Sequence, residues 1–189
     1  MEIISSEIQA KEILKNYNDI VLVPTMGNLH AGHISLVSKA REIGKTIVSS
    51  IFVNPLQFGI NEDFNTYPRT LENDLEELEK AGSHFVFCPT EDILKGIKER
   101  KAPSLSRKLC GKARPKHFDG VVTIVGKLFE VINPQFAIFG LKDYQQFLII
   151  KNLIASNNFE IELFGSPIVR EQDGLAMSSR NNRLSSENR

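Results

Sequence analysis

Residues Ile20–His33, IVLVPTMGNLHAGH, decide how this chain folds. The run Ile20–Val23 is β-branched and aliphatic, which suits a pleated strand, and Pro24, having no N–H to give a ladder, reads as its end. A glycine-containing turn follows. From His33 to Ile43 the apolar residues Ile34, Leu36, Val37, Ala40 and Ile43 recur at helical spacing, with Gly44 as the stop. A strand that runs through a glycine turn into a helix is the first half of a βαβ unit.

The same alternation continues outward. Thr46–Val53 (TIVSSIFV) reads as a strand ended by Asn54-Pro55. Thr70 offers an N-cap to a helix with the stripe Leu71, Leu75, Leu78 and Ala81, closed by Gly82. Phe85–Cys88 is a further strand before Pro89, and the charged segment Lys95–Arg107, broken by Pro103, reads as irregular surface. Val121–Ile132 is apolar all round, which means a helix buried on most sides or one covered by another subunit. A strand at Phe136–Phe139, a helix at Asp143–Ser156 and a strand at Phe159–Phe164 complete the pattern. Strands alternating with helices predict an α/β fold, a doubly wound parallel sheet with right-handed crossovers.

Composition sets outer limits. The 189 residues carry 23 basic and 23 acidic side chains. Zero net charge argues against a general nucleic-acid or anionic-membrane surface, since both need a positive excess, but it leaves room for one local phosphate site. The two cysteines, Cys88 and Cys110, lack zinc-site spacing and suit a reducing compartment. No signal-like N-terminus and no run of about 18 apolar residues is present, so a soluble cytoplasmic protein is expected.

Ligands of doubly wound sheets bind beyond the carboxyl ends of the strands. Four polar segments follow strands and should share that rim: Pro24–His33, Asn54–Phe58, Gly140–Asp143 and Ile168–Arg180. In PTMGNLHAGH, glycines admit close backbone approach, and a helix start offers free N–H groups to phosphate. His30 and His33 stand three apart and can both donate to phosphate oxygens; alternatively one caps the helix. Standard phosphate loops are absent, since Gly44-Lys45-Thr46 lacks the earlier glycine and is followed by a strand. In FVNPLQF, Asn54 and Gln57 are neutral polar groups suited to an uncharged hydroxyl, although Asn54 can equally turn the chain. In FGLKDYQQ, Lys142 follows a strand-ending Gly140, and Asp143 with Gln146 has capping-box spacing. DGLAMSSRNNRL, Asp173–Leu184, supplies hydroxyls and Arg180 for a triphosphate, or else is a loose tail. Arg114 and His117 in RPKHF read as a solvated basic turn.

Taken in order, PTMGNLHAGH, SIFVNPLQF with YPRT after it, RPKHFDGVVT, FGLKDYQQ and VREQDGLAMSSRN resemble the pantoate–β-alanine ligase family over Val21–Leu184. HxGH by itself marks only the wider superfamily of adenylyltransferases and class I aminoacyl-tRNA synthetases. The resemblance implies a Rossmann-like fold, ATP with Mg²⁺, and two steps. The pantoate carboxylate attacks the α-phosphorus of ATP, releasing pyrophosphate, and the β-alanine amine then displaces AMP from pantoyl adenylate to give pantothenate.

The resemblance also implies ATP contacts at Met26, Gly27, Asn28, Leu29, His30, Ala31, Gly32, His33, Gly140, Leu141, Lys142, Asp143, Val169, Met177, Ser178, Ser179 and Arg180. His33 would be the proton donor with His30 beside it; Lys142, Ser178, Ser179 and Arg180 would stabilise the transferring phosphate. Gln57 and Gln146, with Thr25 and Asn54, would hold pantoate and then β-alanine. A homodimer is implied, with Val121–Ile132 a candidate interface. So is a smaller C-terminal lid: residues 1–184 read as the catalytic domain and 185–189 as the start of a linker, the lid being absent. Two other readings remain, a nucleotide-binding module without turnover, and a related adenylyltransferase acting on a phosphorylated acceptor. The neutral pair Gln57 and Gln146 suits the latter poorly.

Overall fold

The computed structural model describes residues 1–185 and 187–189; Ser186, inside the stretch 185–189 read as a linker, lies outside the described residues. Six strands form one parallel sheet: β1 (Glu2–Ile4), β2 (Ile20–Thr25), β3 (Thr46–Ile51), β4 (Phe85–Phe87), β5 (Phe136–Gly140) and β6 (Glu162–Ser166), in the order β1-β4-β3-β2-β5-β6. Helices are α1 (Glu7–Leu14), α2 (Ala31–Ile43), α3 (Leu71–Ala81), the single turn α4 (Cys110–Ala113), α5 (His117–Ile132) and α6 (Tyr144–Ser156).

Successive strand residues point to opposite faces, and the core divides accordingly. Val21, Val23, Ile47, Val86 and Ile138 pack with α2 and α3 residues such as Leu36, Val37 and Leu78. Leu22, Val48, Phe85, Phe87, Ala137 and Phe139 pack with Ala10 and Leu14 of α1, Phe129 and Ile132 of α5, and Ile149 and Leu153 of α6. Both faces are covered, which is why the strands are almost continuously apolar.

Strand order reverses between β2 and β5, because the chain first builds outward through β3 and β4 and then returns to the other side. Pairing of β2 with β3 runs to Thr25, whereas pairing of β2 with β5 stops at Leu22. The crevice opens there. Pro24 therefore does not end the strand: it sits where the β5 ladder has already parted, so its missing N–H forfeits no bond on that side.

Several local expectations change. Edge strand β1, only three residues long and paired with β4, and α1, capped by Ser6, were not legible as elements. The last strand begins at Glu162, not Phe159. Thr70 holds the N-cap position of α3 but makes no capping bond; its hydroxyl instead donates to Asp74. Asp143 likewise precedes α6 without capping it, so the Asp143–Gln146 box does not form. The apolar stretch Val121–Ile132 is no exposed subunit face: apart from the part-buried Lys127 and the exposed Glu130, its residues are buried inside this chain. Cys88 is half-buried and Cys110 exposed, both unpaired.

Candidate functional site

A cavity of about 220 Å³ lies at the switch point, floored by Val121, Ile124, Val125 and Leu128 of α5. The helix that sequence periodicity offered as an interface is thus the apolar base of a pocket. One wall comes from the β2–α2 turn, with Met26, His30 and His33. The facing wall comes from the end of β5, the 3₁₀ turn Leu141–Asp143 and the start of α6, with Gly140, Lys142, Asp143 and Gln146. Gln57 and Asn54 stand at one end, and Val169, Met177, Ser178, Ser179 and Arg180 close the other side. Gly27, Asn28, Leu29, Ala31 and Leu141 do not line it. Leu141 packs against Gly165, where a Cβ would meet its Cδ2 at 2.6 Å.

The two histidines form a reciprocal cap on α2. His30, extended at φ −142°, accepts the Gly32 N–H through Nδ1 at 3.1 Å, and His33 Nδ1 accepts the His30 N–H at 3.4 Å. A nitrogen that accepts carries no proton, so in both neutral rings the N–H is on Nε2. Burial is the main cause holding both below the ordinary histidine range. For His33 the value falls to about 3, with the charges of His30 and Lys142 adding to the burial effect. Both rings are therefore neutral donors at pH 7. His33 is not an imidazolium acid in this state, and His30 is not helical, as a shared helical face would require.

The turn before them differs from an open phosphate cradle. The Asn28 and Leu29 N–H groups both donate to the buried Asp74 carboxylate, each at 2.8 Å. Gly27 (φ +82°) and Asn28 (φ +49°) adopt left-handed conformations that aim these groups at α3. A Cβ on Gly27 would stand 2.9 Å from Asp74 Oδ2. The protein's own carboxylate occupies the nest. Asp74 is buried one turn before the buried Leu78, whereas Leu71, read as part of the apolar stripe, is exposed; a carboxylate at that register was the sequence signal to notice.

Several expected ligand groups are already engaged. Thr25 Oγ1 donates to the Ser50 carbonyl at 2.7 Å and accepts the Gly27 N–H. Asn54 caps the 3₁₀ turn Pro55–Gln57 through Oδ1 and donates from Nδ2 to Gln57 Oε1 and the Gly120 carbonyl. Ser179 spends its hydroxyl proton on the Asn28 carbonyl at 3.0 Å, while Asn28 Nδ2 donates back to the Ser179 carbonyl. Thr25, Asn54 and Ser179 all line the cavity, with their side-chain donors engaged within the fold. The groups that keep donor capacity toward the cavity include His30 and His33 at Nε2, the Lys142 ammonium, the Ser178 hydroxyl, one N–H of Gln57 and Arg180 at Nη1. The Gln146 side chain lines the cavity and has no hydrogen-bond partner among the described residues.

Gln57 is fixed from two sides. Its Nε2 contacts Met26 Sδ at 3.0 Å, and its carbonyl accepts from His117 Nδ1 at 2.8 Å. The carbonyl defines the tautomer, so His117 Nε2 accepts from Arg114 Nη1 at 3.1 Å, and Arg114 in turn pairs with Glu62. RPKHF is thus a buttress for Gln57 rather than a solvated turn. Residues 170–184 are not loose either: Arg170 bridges to Ala176, Met177 donates to the Val169 carbonyl, and Arg180 and Arg183 both pair with Asp63. No cluster of three metal-ligating side chains occurs among the described residues.

A model of the pantoate–β-alanine ligase family matches residues 2–189. The chain belongs to this family. It is 49% identical over 185 residues to a pantothenate synthetase from Psychrobacter sp. (strain PRwf-1), and 53% identical over 173 residues to one from Desulfitobacterium hafniense. These alignments cover 96% and 90% of this chain but 65% and 61% of the relatives, so the chain spans somewhat under two thirds of their length. Pantothenate synthetase from Thermus thermophilus superposes with TM-score 0.94 at 43% identity, over 99% of this chain and 69% of that one. Pantoate–β-alanine ligase from Francisella tularensis, complexed with β-γ ATP and β-alanine, gives TM-score 0.94 at 36% identity, over 98% and 74%.

Proposed function

We propose that this chain binds ATP and pantoate in the switch-point cavity and joins the pantoate carboxylate to β-alanine through pantoyl adenylate. One observation carries the reading: a single cavity joins a donor-rich wall to a neutral polar end over an apolar floor. His30, His33, Lys142, Ser178 and Arg180 suit a triphosphate. Gln57 and Gln146, with Val121 and Val125 beneath, suit a small hydroxy acid. The Francisella relative carries an ATP species and β-alanine.

A carboxylate is a poor acyl donor, and forming a mixed anhydride with AMP supplies both an electrophilic carbon and a stable leaving group. As the pantoate oxygen approaches the α-phosphorus, negative charge builds on the departing pyrophosphate. Fixed N–H donors and cations stabilise that charge without reorganising. Neutral His30 and His33 do so through Nε2–H, and Lys142 does so through its ammonium. In the second step the amine attacks the acyl carbon and AMP leaves, with Gln57 and Gln146 holding the acyl portion.

Mg²⁺ fits as a companion of the nucleotide. It needs only one or two carboxylates beside phosphate oxygens and water, and Asp143 is the acidic side chain lining the cavity among the described residues. When bound it would neutralise triphosphate charge. The same reading includes a cytosolic homodimer whose interface lies elsewhere than the buried α5 stripe; no helix among the described residues is long and apolar enough to cross a membrane.

The test is pantoate-dependent exchange of labelled pyrophosphate into ATP, with pantothenate formed on adding β-alanine. Loss of exchange in His33→Ala and Lys142→Ala is expected. ATP binding without exchange in the unaltered chain leaves the binding-module alternative.

A further inference from the structure

Arg180 closes one side of the cavity together with Val169, Met177, Ser178 and Ser179, and what fixes it is a carboxylate 117 residues away in sequence. Asp63 accepts from Arg180 Nε at 2.8 Å and from Arg180 Nη2 at 2.9 Å. This is a fork-to-fork pair, the geometry in which a guanidinium plane has least freedom. Bidentate pairing through Nε and Nη2 occupies one edge of the group and leaves Nη1 on the other. The aromatic face of Tyr67, itself buried, lies under the same guanidinium with its centroid 5.3 Å from Cζ. Plane and edge are thus both set.

Asp63 also accepts from Arg183 Nη1 at 2.7 Å, and Arg183 Nη2 donates to the Thr66 carbonyl at 2.9 Å. One carboxylate between two guanidiniums leaves the cluster with a net positive charge, so the pair does not cancel Arg180 as a cation. The Arg180 bonds are also the main cause holding the Asp63 carboxyl at about 2, so it is ionised throughout the neutral range.

We propose that Asp63 is a positioning residue: it clamps the Nε–Nη2 edge of Arg180 so that Nη1 meets the phosphate on which charge develops. Asp63 touches no substrate and acts through Arg180. The proposal rests on the ligase reading for its chemistry, but the placement of Arg180 can be tested apart from it.

The experiment is a double-mutant cycle on the full chain with Asp63→Asn and Arg180→Ala, read as kcat and KM for ATP in pantoate-dependent pyrophosphate exchange, and as ATP affinity by calorimetry. A carboxamide keeps the size of Asp63 but turns an NH₂ toward the guanidinium. Asp63→Asn should lower kcat about tenfold or more, the scale expected when a catalytic group is misplaced by a fraction of an ångström to an ångström, with a smaller change in KM. In the Arg180→Ala background the same change should have no further effect, because the group it positions is gone. Arg180→Lys, which keeps the charge and loses the fork, should be equally insensitive to Asp63→Asn.

A purely structural role, holding residues 170–184 against Asp63 through Arg183, would instead make the two losses multiply, and that outcome overturns the proposal. So does tighter ATP binding in Asp63→Asn, which would mean the carboxylate competes with phosphate for Arg180. Should the unaltered chain show no exchange, the ligase reading fails on its own, and the calorimetric cycle still decides. Non-additive ATP affinities support the clamp, and additive ones refute it.

Discussion

His30 and His33 cap the same helix for each other: each ring offers Nδ1 to a backbone N–H at the start of α2, and the ring centroids stand 4.1 Å apart. The cap fixes the tautomer and so turns two switchable bases into two fixed Nε2–H donors. Asparagine places its amide near Nδ1, and glutamine reaches toward Nε2. His33→Asn should therefore keep the cap and most stability yet lose exchange activity by about a hundredfold, in keeping with the loss of a preorganised donor. His33→Gln should retain more activity while costing about 1 kcal/mol of stability, the worth of a lost cap. Thermal melts beside exchange assays separate the two, and identical behaviour of the variants would remove the tautomer assignment.

The same burial gives a pH signature. His33 titrates near 3 in the folded chain and near its ordinary value of 6.5 when unfolded. Between those values only the unfolded chain takes up the proton. Stability from this site is thus full above pH 6.5 and is lost as pH falls toward 3. Asp63, lowered from 3.8 to about 2, adds a second loss at lower pH, present above 3.8 and gone as pH falls through 2. Melting temperature should begin to fall below about pH 6.5, less steeply in His33→Asn. kcat/KM for ATP should show no His33 inflection near 6.5 in the free protein.

Asp74 accepts two consecutive N–H groups of the turn that carries the histidines. Asp74→Ala would leave both donors unpaired in a part-buried site, at about 2 kcal/mol or more for the pair. Gly27→Ala should cost a similar amount, from a left-handed backbone and a Cβ against the same carboxylate. Each should lower the melting temperature and weaken ATP binding together. A stable variant with weakened binding would mean that Asp74 acts on the ligand and not through the turn.

The layout of the fold was legible because the strands after β1 carry their own local record: branched or aromatic residues and a glycine or proline soon after, with helical stripes between them. Convergence of the four segments followed from topology alone. What could not be read was the partner of each polar side chain. Asp63 and Arg180 are 117 positions apart, and nothing in NEDFN marks which cation it will meet. Thr25, Asn54 and Ser179 look like free ligand groups until the backbone carbonyls that consume them are in place. The α5 stripe showed burial but not what buries it, since an apolar pocket floor, a core and a subunit interface leave the same pattern. Three-residue β1 is too short for any periodicity.

Gly120 offers a way to separate the two ends of the cavity. It lies in the first turn of α5, against the 3₁₀ turn that carries Gln57, and a Cβ there would stand 2.2 Å from the Leu56 carbonyl oxygen and 2.6 Å from the Gln57 nitrogen. Both obstacles are backbone, so neither can swing aside. Gly120→Ala must therefore push residues 55–57 away from α5, breaking the Asn54-to-Gly120 bond of 3.1 Å and moving the Gln57 amide from its contact with Met26. The histidine turn is held independently by Asp74 and by Ser179, so the triphosphate wall should stay in place. The expected result is a KM for pantoate raised tenfold or more, roughly the loss of one well-made hydrogen bond to a neutral substrate, with ATP affinity changed less than about threefold. Isothermal titration with ATP alongside steady-state kinetics in pantoate makes the comparison. Equal losses for both ligands would show that Gln57 and the histidines belong to one inseparable wall, and the division of the cavity into a phosphate side and a hydroxy-acid side would have to be abandoned.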